Sequence, residues 1–122
     1  MTVPFEFTKV DDTAKVMMLN RVNSLTAYRA TNAYEALRRA CELVENRTDV
    51  SRNASVLFFT DGIPNRSPRE GEVKAMDSLK KEKGYTFPIS TFGFGQYHRV
   101  HSEMLYEISK LYDGMFGYIP DA

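Results

Sequence analysis

The sequence predicts an α/β fold built as three layers, a mostly parallel sheet carrying helices on both faces. Three observations lead there. From Thr31 onward, stretches with helical apolar spacing alternate with short strand-like stretches. The segment ASVLFFT, residues 54–60, is a continuous apolar run bounded by polar residues, the pattern of a strand buried on both sides of a parallel sheet. A second run of this kind, residues 87–94, follows one helix later. Successive parallel strands are joined by right-handed crossovers, which is what the intervening helices supply.

Taken in order, the opening TVPFEF alternates Val3, Phe5 and Phe7 and reads as a short strand, with Pro4 restricting it to a sheet edge. Asp11, Asp12 and Thr13 offer N-caps to a helix reaching residue 25, in which Met18, Val22 and Leu25 share a face. After the loop TAYRA, Thr31 or Asn32 caps a second helix. Its Ala33, Ala36, Leu37, Ala40, Cys41 and Val44 recur at helical spacing and should pack on the sheet. The strand at 54–60 stops at Asp61-Gly62. Beyond the loop IPNRSP a helix over 69–83 turns Val73, Met76 and Leu79 inward and closes at Gly84. The strand at 87–94 runs into Gly93-Phe94-Gly95, Ser102 caps a helix carrying Leu105, Ile108 and Leu111, and residues 115–119 form a last short strand.

The 122 residues suit one domain, and a chain of this size buries roughly two-thirds of its unfolded surface without covalent staples. The 16 basic and 16 acidic residues cancel, so overall charge draws in neither nucleic acid nor an anionic membrane. A single cysteine, Cys41, precludes an intrachain disulfide and fits a reducing compartment, which makes the expected location cytoplasmic. Every apolar stretch falls short of the ~18 residues of a membrane span, and the N-terminus lacks a secretory signal pattern. The sequons at Asn46, Asn53 and Asn65 are therefore read as chance occurrences.

In a Rossmann-like parallel sheet, ligands bind at the carboxyl ends of the strands. That edge collects Asp61-Gly62 and the loop after it, the TAYRATN loop, and Gly95-Gln96-Tyr97-His98.

Between Ala30 and the end, the segments ATNAYEALRRA, SVLFFTDGIPN, ISTFGFG and MLYEISKLYDGMFGYIPDA occur in an order that resembles the von Willebrand factor A family. The FGFG and the closing G-x-F-x-Y-I-P-D look most like the intracellular eukaryotic branch that accompanies U-box-type ubiquitin-ligase modules. The resemblance implies a non-enzymatic protein-binding module. It also implies a metal-ion-dependent adhesion site in which Thr31, of a Thr-Asn pair before a helix, and Asp61, at the end of a buried strand, are Mg2+ ligands.

Two departures bear on that site. The family opens with a central strand ending in Asp-x-Ser-x-Ser, which supplies the other metal ligands, and the sequence has no such motif. On this comparison the chain is expected to be the C-terminal two-thirds of the domain, lacking its first strand or strands. An apolar strand edge would then be open to completion by another chain. The family's Gly-Gly before Thr-Asn is here Arg29-Ala30, which narrows the loop's access to positive φ. Mg2+ takes near-octahedral oxygen ligands and commonly one or two carboxylates with water. One Asp and one Thr leave most of the shell to water or to a partner's carboxylate, so weak binding is expected.

Plainer readings stand beside these. Asp61 before Gly62 also suits a turn, and Thr31 also suits a helix N-cap, a role compatible with ligation. His98 and His101 lack a third ligand and read as a solvated loop rather than zinc ligands. Cys41 lies on an apolar helix face and reads as core. Gly93-Phe94-Gly95 is a fragment of a dinucleotide fingerprint without its third Gly. The expected function is capture of a protein ligand at the loop edge around Asp61. The rivals are a phosphoryl-transfer or phosphatase-like domain using Asp61 as nucleophile, whose nearby loop offers Asn65, Arg66 and Arg69 rather than a second carboxylate and a Lys, and a truncated product without independent activity.

Overall fold

The computed structural model describes residues 7–25, 32–61, 66–95 and 102–120. Among these described residues seven elements follow one another: α1 (Asp12–Asn23), α2 (Ala33–Glu45), β1 (Val56–Thr60), α3 (Glu72–Lys83), β2 (Ile89–Gly95), α4 (Ser102–Leu111) and β3 (Asp113–Pro120). The expected strand TVPFEF lies outside the described residues except for Phe7, which is not in a strand.

Local chemistry sets the helix ends. Asp11 N-caps α1 by accepting from the Ala14 amide at 2.8 Å, and Asn32 does the same for α2 through the Glu35 amide at 3.0 Å. Gly84 ends α3 with left-handed dihedrals (φ 67°, ψ 33°), a conformation that would crowd a Cβ. Helix α3 starts at Glu72 rather than near residue 69 because Pro68 to Gly71 form a turn, closed by the Gly71 amide donating to the Pro68 carbonyl oxygen at 3.0 Å.

The three strands form an all-parallel sheet in the order β1-β2-β3, with Val56 opposite Ile89 and Phe59 opposite Phe92. Between β2 and β3 the register shifts once, so that Ile89 faces Asp113 but Thr91 faces Phe116. Both crossovers step across the sheet in the same direction, and a common right-handedness then places α3 and α4 on the same face. The packing agrees: α4 lies on β2 and β3, α2 lies against β1, and α3 contacts both α2 and α4.

The core fills the space between these helices and one sheet face. Leu37 and Cys41 from α2, Met76 from α3, Ile89 from β2, and Leu105 and Ile108 from α4 are completely shielded from solvent. Two polar groups are buried with them and satisfied there. The Thr91 hydroxyl donates to the Leu105 carbonyl oxygen at 2.7 Å, joining β2 to α4, and the Tyr112 hydroxyl donates to the Met76 carbonyl oxygen at 2.7 Å, joining the end of α4 to α3. Lys80 of α3 caps the C-terminus of α4 by donating to the Leu111 carbonyl oxygen at 2.6 Å.

The α/β class and the Rossmann-like parallel sheet are as the sequence predicts, but the layering differs. Among the described residues helices cover one sheet face only. Strand β1 was expected to be buried on both sides, yet it alternates: Val56 is 9% exposed while Leu57 and Phe59, on the other side, are 61% and 53% exposed. Phe94 and Ile119 are exposed as well. The reason is the strand order. A sheet that grows in one direction through right-handed crossovers puts every connecting helix on one side. Helix α1 does not supply the second layer here: it makes no sizeable contact with another described element, and its Val16, Met17, Leu19 and Val22 lie open to solvent.

Candidate ligand-binding edge

Three parallel strands ending at one level define an edge, and the first residue after β1 is Asp61. The strand pairs Thr60 with Gly93, which brings Asp61 level with the last two residues of β2. A Cβ placed on Gly95 would lie 3.8 Å from both the Cβ and the carbonyl oxygen of Asp61, so the ends of β1 and β2 meet with no intervening side chain. Gly95 itself has φ +97°, a backbone state that side-chain-bearing residues rarely adopt, and there the chain leaves the sheet. The third strand is tied to the same point: the Tyr118 hydroxyl donates to the Gly95 carbonyl oxygen at 2.6 Å.

Asp61 is exposed, and no hydrogen bond or ion pair with another described residue engages its carboxylate. A strand-end carboxylate free of internal partners costs the fold nothing to leave hydrated and is available to a cation or a donor from outside. Helix α2 is oriented toward this edge. Its C-terminal Glu45 accepts from the Tyr85 hydroxyl at 3.1 Å, just ahead of β2. That fixes the C-terminus of α2 at the amino ends of the strands and turns its N-terminus toward the carboxyl ends.

Of the two residues expected to bind metal, the structure thus places Asp61 at the strand-end edge, whereas Thr31 lies outside the described residues. Because Asn32 fills the N-cap, α2 does not need Thr31 for that purpose. The loop histidines His98 and His101 also lie outside the described residues, as do Gly62 and Asn65; Arg66 and Arg69 are exposed. Among the described residues no three His, Cys, Asp or Glu side chains are grouped for a metal ion. The donor set in view is one carboxylate, which suits a hydrated Mg2+ held mainly by water and does not suit a dedicated protein cage.

Sequence reasoning does not single out Tyr118. Its signal is modest: an aromatic residue with a polar tip near the end of the last strand, where a buried ring needs a hydrogen-bond partner. Cys41 lies in the core as expected, and burial followed by the nearby Glu45 carboxylate pushes its thiol up to about 12, which suits a packing residue rather than a nucleophile.

Among the described residues a hollow lies at the opposite end, where the strands begin, lined by Arg47, Asn53, Thr86 and Pro88 among others. It is open and polar. Arg47 closes the loop beside it by donating to the carbonyl oxygens of Val44 at 2.7 Å and Val50 at 3.3 Å. Its cation is thereby committed to the loop, and topology favours the Asp61 edge as the ligand site.

Among the described residues no helix is long and apolar enough to cross a membrane. No family model matches the chain, and no curated protein matches it in sequence. Fold and edge together define its class: an open, parallel α/β domain with an exposed carboxylate at the carboxyl ends of its strands.

Proposed function

We propose that the chain is a protein-binding module of the von Willebrand factor A type that receives a protein ligand on the loop edge around Asp61. The observation that carries this reading is the position of Asp61. It is an exposed carboxylate, without internal partners among the described residues, at the strand-end edge where open parallel sheets take ligands. The order of motifs from Ala30 to the end supports the family, and Thr31 enters as the second ligand by that resemblance.

In this reading Mg2+ assists. Asp61 would hold the ion together with Thr31 and water, and the ion would supply positive charge for an acidic side chain of the ligand. Weak intrinsic affinity follows from the small donor set, because most of the octahedral shell remains water until a partner carboxylate replaces part of it. In this reading the module performs no turnover; among the described residues of the edge no nucleophile, base and orienting group can be assigned together.

The test compares wild type with Asp61→Asn. Capture of a protein ligand that requires Mg2+, is reversed by a chelator, and is lost in Asp61→Asn while the fold is unchanged supports the reading. Phosphatase or ATPase activity in the wild type that Asp61→Asn abolishes would replace it with phosphoryl transfer through an aspartyl nucleophile.

A further inference from the structure

Arg47 forms no ion pair among the described residues. Its guanidinium donates to the carbonyl oxygens of Val44 at 2.7 Å, Val50 at 3.3 Å and Arg52 at 3.5 Å. Those bonds fix the group in the loop after α2 and cover the last carbonyls of that helix, but carbonyl dipoles leave the charge unneutralised. Its Nε is enclosed and has no acceptor among the described residues. Buried polar groups are nearly always paired, and the donor of a cation is among the costliest to leave over. Asp49 is the one acid between residues 46 and 55. It accepts from the Ser51 amide at 3.1 Å and from the Ser51 hydroxyl, and it does not line the hollow beside Arg47.

That hollow, where the strands begin, has a volume of about 490 Å3, within the range of roughly 300–1,000 Å3 typical of small-molecule sites. Arg52 adds a second guanidinium to its wall, and Asn53, Ser55 and Thr86 add an amide and two hydroxyls. These four side chains are exposed and, among the described residues, engage in no hydrogen bond or ion pair. No Asp or Glu among the described residues lines the hollow. Free donors around two cations select an anion. A phosphate monoester matches the charge, because it carries about −1.5 to −2 and three acceptor oxygens against two guanidiniums, whereas a carboxylate leaves one guanidinium uncompensated. Val50, Phe87 and Pro88 line the same hollow and offer an apolar surface to the organic part of such an ester.

We infer that the hollow at the amino ends of the strands binds a phosphate monoester, with Arg52 and the neighbouring hydroxyls contacting the phosphate and Arg47 supplying charge from the loop it holds. The 5 residues of β1 at about 3.3 Å each place this hollow about 17 Å from the Asp61 edge. The two sites are separate, and the inference is independent of the function assigned to Asp61.

Nuclear magnetic resonance of the isotope-labelled full chain tests it, by titration with phenyl phosphate, inorganic phosphate and acetate without Mg2+ and at constant ionic strength. Saturable shifts are expected at the amides of residues 51–55 and 86–87 and at the Arg47 Nε–H signal, at the lowest concentrations for phenyl phosphate and the highest for acetate. Arg52→Gln, at an exposed position, should keep the fold and weaken phenyl phosphate by roughly tenfold or more, because a charge-assisted hydrogen bond is lost. Asp61→Asn should bind as wild type does. Absence of saturable shifts at these signals, binding that Arg52→Gln leaves intact or that Asp61→Asn removes, or shifts centred on Arg66 and Arg69 would each overturn the inference. So would acetate binding as tightly as phenyl phosphate, which would make the hollow a carboxylate site, or inorganic phosphate binding as tightly as the ester, which would make it a site for the free ion.

Discussion

The Tyr118 hydroxyl donates to the Gly95 carbonyl oxygen at 2.6 Å, fastening the end of β3 to the residue where β2 leaves the sheet and where Asp61, just past β1, comes close. Three strand ends are thereby held at one point. Tyr118→Phe removes the donor and leaves the ring in place, so the expected loss is about 1 kcal/mol, the usual net value of such a bond. Urea denaturation of the two chains measures it. An unchanged midpoint would mean that the bond does not stabilise the edge.

The buried hydroxyl of Thr91 should matter more. It is fully shielded and donates to Leu105 at 2.7 Å, and valine keeps the shape but not the donor. A loss of about 1–2 kcal/mol is expected for Thr91→Val. Equal stability would show that β2 and α4 are held by apolar packing alone.

At the end of α3, Gly84→Ala should cost about 1 kcal/mol. A Cβ at φ 67° is penalised by about 1–2 kcal/mol, partly offset by the reduced freedom of the unfolded chain. Thermal unfolding of the variant checks the value, and a stabilised variant would contradict the left-handed cap.

Alkaline pH should destabilise the fold. Burial, then Glu45, holds the Cys41 thiol up at about 12. Burial also raises the Tyr112 phenol, and burial together with the hydrogen bond to Glu45 raises that of Tyr85. A proton held more tightly in the folded state is released on unfolding, so stability falls as pH rises. The stabilisation is intact below the unfolded thiol value of about 8.5 and is lost progressively as pH climbs toward the folded-state values. Denaturation midpoints at neutral pH and above pH ~10 should differ in that direction, and Cys41 should resist thiol reagents until the chain unfolds. Rapid labelling of native protein would contradict the buried position.

Much of the fold was legible because the sequence punctuates it. Leu37, Cys41 and Val44 repeat at helical spacing and are buried as that spacing demands, Gly84 closes α3 as expected, and the stop of an apolar strand at Asp61 places the candidate edge. The layering was not legible. A strand such as VLFFT has apolar residues on both sides whether its second face is covered by its own chain, by another, or by neither, so the run alone cannot number the layers. Helix α1 illustrates the same gap: Met18, Val22 and Leu25 share a side in the sequence, yet spacing names a face without naming what meets it. The latch from Tyr118 was hidden for another reason, since a tyrosine near a strand end gives no sign of which carbonyl it will reach.

The central claim, that Asp61 forms the ligand edge with a weakly held cation, is most directly tested by titrating Mg2+, and then trace Mn2+, into isotope-labelled protein followed by nuclear magnetic resonance. The account predicts weak, saturable shifts and paramagnetic broadening centred on Asp61 and Gly95, lost in Asp61→Asn while the remaining spectrum keeps its dispersion. Broadening centred instead on the opposite end around Arg47 and Phe87, or tight stoichiometric binding that Asp61→Asn leaves intact, would contradict it.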